Sequence, residues 1–149
     1  MKAADLYDAD FAEWAVRNAE LLRSRHFDDA DLEHIAEEIE DLGKSRLRVL
    51  ESAMIQIMLH LLKYEKQPAK RSRSWLTSIG KQRVKIGRIV RESPSLRSRL
   101  PEVLTECYSD AVKLASLETG IAPADFPEAC PFSVEMLLDE DFPSQAPAK

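Results

Sequence analysis

The residues singled out for chemistry here are two of the three histidines, some acids and one run of cations. His60 sits in the stretch IQIMLHLLKY, beside Leu59 and Leu61. An imidazole among oily side chains needs partners for its ring nitrogens. His60 is therefore the catalytic candidate, as a general base. The competing reading is a histidine held by a hydrogen bond in the core. His34 and Glu38 lie one helical turn apart in LEHIAEEIED and are the metal-ligand candidates, with Glu37 and Asp41 nearby. They fall opposite an oily stripe, so a solvated acidic face is expected and no metal is assigned. His60 cannot join them on one helix, because 26 residues separate the two histidines by about 39 Å. A dinuclear carboxylate bundle needs Glu-x-x-His on two helices, and only one histidine–acid group occurs.

The stretch HLLKYEKQPAKRSRSW opens a second possibility. Lys63, Tyr64, Arg71, Arg73, Trp75, Lys81, Lys85 and Arg88 are the binding candidates. Their cations can meet phosphates, with counterion release supplying affinity, and Tyr64 or Trp75 can stack on an unpaired base. They can equally face an acidic protein surface. Arg71 and Arg73 can fold back on Glu38 and Glu40, or on those of a partner subunit. For Tyr64 and Trp75 the alternative role is to anchor the ends of two helices.

Charge is distributed in blocks. Residues 1–62 carry −7, residues 63–99 carry +10 and residues 100–149 carry −8, for a net −5. Overall acidity and the lack of a nucleic-acid motif weigh toward a protein partner. With four glycines, the 149 residues hold no phosphate-binding loop, dinucleotide fingerprint, nucleophile elbow or HExxH. No cofactor is expected. Cys107 and Cys130 lack CxxC spacing and read as two reduced thiols of a cytoplasmic protein. The longest oily run, residues 53–62, falls short of the roughly 20 residues a membrane span needs.

Helical periodicity must position all of these groups. A first helix is expected over 8–24, with Phe11, Ala15, Ala19 and Leu22 on one face. Asp29 or Asp31 caps the next, which carries Leu32, Ile35, Ile39, Leu42, Leu50, Met54, Ile57 and Leu61 on one stripe. Unbroken over 31–66 it would be about 54 Å long, so it bends at Gly43 or overhangs and is covered by a second subunit. Residues 53–62 are apolar all round, which places them at the centre of the bundle or in a subunit interface. A third helix starts from Ser74 and buries Trp75, Ile79, Gln82, Ile86 and Ile89. Gly80, Val84 and Gly87 form a flat opposite face. A fourth begins near Ser95 or Leu100, with Pro101 tolerated in a first turn, and stops at Gly120. An ordered proline-containing loop follows, then a short helix capped by Ser133. The expected fold is all-α: an antiparallel bundle of four main helices plus a short C-terminal helix, in one domain over 1–143 with a frayed tail at 144–149.

The motifs LYDADFAEW, LEHIAEEIEDLGKS, HLLKYEKQPAKRSRSW, SIGKQR, SPSLRSRL and ETGIAPADFPEACPFSVEMLLDEDF together resemble the bacterial family known as domain of unknown function 29. The resemblance implies a small helical-bundle protein of the bacterial cytoplasm, with no established activity. The sequence departs from the family at His34, where a neutral polar residue is more usual, and in placing Pro101 within the fourth helix.

Three functional readings follow. The first is a non-enzymatic protein-interaction module, homodimeric through residues 53–62 or the Gly80–Gly87 face, with an unidentified protein partner. The alternative is a nucleic-acid-associated protein using the cations of 63–88. The third is an enzyme or metal site centred on His60. No membrane partner is expected.

Overall fold

The computed structural model describes residues 1–144; of the expected tail, residues 145–149 lie outside the described residues. The chain is all-α. Its helices are α1 (Leu6–Ala9), α2 (Phe11–Arg23), α3 (Leu32–Lys66), α4 (Arg73–Glu92), α5 (Leu100–Thr119) and α6 (Val134–Leu138). Short 3-10 turns join several of them. Two compact units are present, Met1–Ser45 and the residues from Arg46 on, and the division falls inside α3. Gly43 does not interrupt that helix, which is assigned without a break from Leu32 to Lys66.

In the first unit the expected single helix over 8–24 is two helices. Asp10 takes an extended backbone (φ −155°), and its side chain accepts the Glu13 N–H at 3.1 Å. That cap starts a new helix where the period alone suggested a continuous one. The expected face of Phe11, Ala15, Ala19 and Leu22 is not the buried one. Trp14 and Asn18 are buried instead, and Phe11 is 50% exposed. Hydrogen bonds select this face: Asn18 donates to the Trp14 carbonyl at 2.8 Å and accepts the Asp31 N–H at 2.8 Å. Asp31 then opens α3, and its carbonyl accepts the Ile35 N–H at 3.0 Å.

The second unit has an ordinary apolar core. Residues 53–62 lie at its centre, as their all-round apolarity requires. Ala53, Met54, Ile57, Met58, Leu59, Leu61 and Leu62 are all buried there, against Ile79, Ile86 and Ile89 of α4 and Val103 and Ala111 of α5. Burying each large aliphatic contributes about 1.5–3 kcal/mol. Ile55, Gln56 and His60 are the partly exposed residues of this segment.

The stripe read along the whole of α3 therefore holds only in its second half. Leu32, Ile39 and Leu42 are exposed. α4 begins two residues earlier than Ser74 predicts. Ser72, in extended backbone, accepts the Trp75 N–H at 3.4 Å, and the Ser74 hydroxyl bonds to that of Ser72 at 2.8 Å. α5 opens at Leu100 with Pro101 in its first turn, and Gly120 ends it at φ +76°, a conformation that suits glycine. The loop after it is ordered: Phe126 and Phe132 are buried, and the Tyr108 hydroxyl donates to the Pro127 carbonyl. Ser133 caps α6 by accepting the Met136 N–H at 3.1 Å.

Candidate functional site

The cations of the central segment divide into two groups. Some are engaged within their own unit. Lys63 stands 4.8 Å from the Trp75 ring centroid and 3.4 Å from a Glu118 carboxylate oxygen. Arg71 donates to the Tyr64 carbonyl at 2.8 Å and lies over the Tyr64 ring at 4.1 Å. Tyr64 is buried, and its hydroxyl donates to the Ser144 carbonyl at 3.2 Å. Arg88 pairs with Glu92 at 3.0 Å, and Arg46 joins the same carboxylate at 2.7 Å. The crossover between α3 and α4 is thus stitched together by its own cations and aromatics. Arg73, Lys81 and Lys85 are different: they are exposed, with no acidic partner among the described residues.

A groove runs along the outer side of α4, with a volume of about 850 Å³. Its floor includes Leu76, Gly80, Val84 and Gly87, and its far wall includes Leu138, Phe142 and Pro143. Val84 is 73% exposed, and a Cβ built on Gly80 or Gly87 would meet nothing within 4 Å. The two glycines lower the floor, as the flat face in the sequence predicts. Lys81, Arg91 and Arg97 line the groove and are unpaired among the described residues, while Glu140 is the one acid lining it there.

Arg83 builds the far wall, and sequence reasoning did not single it out. Its Nε donates to the Leu137 carbonyl at 2.6 Å, and its Nη2 donates to the carbonyls of Met136 and Phe142. Burial pulls its pKa down from the ordinary arginine value. The rigid guanidinium fork suits these three hydrogen bonds to backbone. Nothing local in the sequence marks Arg83, because the carbonyls it binds lie more than fifty residues away.

In the first unit the structure corrects the expectation for His34. The residue is not on a solvated acidic face. Its side chain is 32% exposed, its Nδ1 lies 2.6 Å from Asp31 Oδ2, and its ring stacks on Tyr7 with centroids 3.8 Å apart. Asp31 is buried and also accepts the Trp14 Nε1–H at 2.9 Å. Burial works against the Asp31 carboxylate, but the bonds from Trp14 and His34 outweigh it and hold its pKa below the usual range. The same bond to Asp31 raises the His34 pKa. Glu38, the other metal-ligand candidate, accepts the Tyr7 hydroxyl. That bond, with burial behind it, pushes Tyr7 up to about 12. His34 and Glu38 are thus each engaged with another side chain. A signal was available for part of this: an aspartate at a helix cap with a histidine at the third helical position.

His60 is half-buried, and its Nδ1 bonds the Gln56 carbonyl at 2.7 Å. A carbonyl only accepts, so Nδ1 carries the hydrogen. Among the described residues, no three His, Cys, Asp or Glu side chains are placed to hold a metal ion. Burial pushes the Cys107 thiol up to about 11 and raises that of Cys130, the opposite of what an activated nucleophile requires. Among the described residues no helix is long and apolar enough to cross a membrane.

An all-α chain with a glycine-floored groove and a self-stitched basic crossover is the architecture these motifs build. The chain belongs to the family described as Domain of unknown function DUF29, whose model matches residues 6–143. That family has no assigned activity. No curated protein matches the chain, and no solved structure does.

Proposed function

We propose that this chain is a non-enzymatic protein-interaction module of the bacterial cytoplasm, and that its binding surface is the groove along α4. One observation supports the reading above the others: an open apolar floor lies beside unpaired Lys81, Arg91 and Arg97. An acidic amphipathic helix fits such a surface. Its apolar ridge packs on the glycines, and its acids meet the cations. The nucleic-acid reading retains Arg73, Lys81 and Lys85 as phosphate contacts. Burial of Tyr64 and the position of Lys63 over the Trp75 ring weigh against base stacking there.

Fluorescence anisotropy of the full chain tests the two readings together. The probes are a labelled acidic amphipathic peptide and a labelled single-stranded RNA, each read against K81E/R91E. Peptide binding that weakens about tenfold or more in the variant is the expected result. RNA binding with a steep salt dependence, and no peptide binding, would replace this reading with the alternative.

A further inference from the structure

We propose that the groove's occupant is a second copy of this chain, which inserts the first half of its α3. This rests on the groove being the binding surface. Four aliphatics of the first unit, Leu32, Ile35, Ile39 and Leu42, follow the three-and-four spacing of an interhelical seam. Leu32 is 51% exposed, Ile39 63% and Leu42 68%. Large aliphatics repeated along one face and left uncovered mark an interaction surface.

Charge selects the occupant. Residues 32–43 carry five acids and no lysine or arginine. Packing this acidic half-helix on the same half-helix of another copy would set acid against acid. The groove of the second unit offers the opposite sign, from Lys81, Arg91 and Arg97.

Spacing agrees with charge. Leu32 and Ile39 are seven residues apart, and so are Ile35 and Leu42. Gly80 and Gly87 are also seven apart, with open space where each Cβ would stand. Seven residues rise about 10.5 Å, so two aliphatic knobs meet two glycine hollows in one register. Each copy carries both the seam and the groove. Two copies that exchange seams would form two identical junctions.

The test is the mass of the full chain in solution, by sedimentation equilibrium. The wild-type chain is expected to be a dimer. Two charge-reversed variants, E37K/D41K on the seam and K81E/R91E on the groove, are each expected to raise the dimer dissociation constant about tenfold or more. All four positions are on helices, and Glu37, Asp41, Lys81 and Arg91 are exposed, so the fold is kept. Combining both reversals in one chain restores opposite signs, and recovery of the dimer is the expected signature of direct pairing. A monomeric wild type, a dimer that neither reversal weakens, or a quadruple variant without recovery would each overturn the proposal. The anisotropy experiment separates the two layers. A monomer that still loses acidic-peptide binding in K81E/R91E keeps the groove and rejects the second copy as its occupant. A chain that neither dimerises nor binds the peptide rejects both.

Discussion

Among the described residues, twenty-three apolar residues are buried in the second unit, whereas the first buries only Ala3, Leu6 and Trp14. Two further buried residues of the first unit, Asn18 and Asp31, are polar and fully bonded. The second unit is ordered by area removed from water, which tolerates small changes of shape. The first is ordered by a chain of directed bonds through Trp14, Asn18, Asp31 and His34. Each such bond contributes only about 0.5–1.5 kcal/mol net, and breaking one leaves a buried group without a partner. A unit of 45 residues buries too little apolar surface to do otherwise.

That contrast can be broken at its strong end first. Leu61→Ala removes a side chain that is 1% exposed from the centre of the apolar core. It should cost about 2–5 kcal/mol, read by urea unfolding. Loss below about 1 kcal/mol would mean that the second unit is not core-dominated. Asp31→Ala removes the helix cap together with the acceptor for Trp14 and His34. It should cost the first unit about 1–2 kcal/mol. Each unit holds one tryptophan, Trp14 and Trp75, so Trp14 emission in a Trp75→Phe background reports the first unit alone. An unchanged Trp14 transition would show that the polar chain does not hold the unit.

Smaller effects sharpen the comparison. Gly80→Ala and Gly87→Ala replace helical glycines that have open space around them. Each should stabilise the second unit by about 0.5–1 kcal/mol while weakening whatever docks on α4. Stabilisation with docking intact would separate the glycines from function. The smallest effect is in pH. His34 is held above its ordinary 6.5, so its contribution is complete below that value and is lost as pH rises through the raised pKa. Asp31 is held below its ordinary 3.8, so its contribution is complete above that value and is lost as pH falls through the lowered one. As pH rises from about 6, the Trp14 midpoint should fall in the wild type and stay flat in His34→Gln. Equal slopes would sever the imidazole from the bond network.

The same contrast explains what was legible in the sequence. Residues 53–62 announce their burial, because a helix apolar on every side has no face for water. The first half of α3 shows an equally regular period, yet Leu32, Ile39 and Leu42 are exposed. Period identifies a face and says nothing of what covers it. In α2 the apolar spacing pointed to Phe11 and Ala15, and bonds to Asp31, thirteen to seventeen residues away, chose Trp14 and Asn18. The flat glycine face of α4 was readable from small residues at helical spacing. Its cationic wall was readable only in part, through Lys81, because Arg83, Arg91 and Arg97 acquire their roles from the C-terminal segment folding beside them.

Cys107 and Cys130 turn the second unit's packing into a clock. Both thiols are free, and the core that surrounds them keeps them protonated at neutral pH. Cys107 is shielded as well, at 7% exposure. An alkylating reagent added to the native chain must wait for the unit to open before it meets a thiolate there. The pace at which Cys107 takes up label is therefore a record, kept by the molecule itself, of how often its interior is briefly undone.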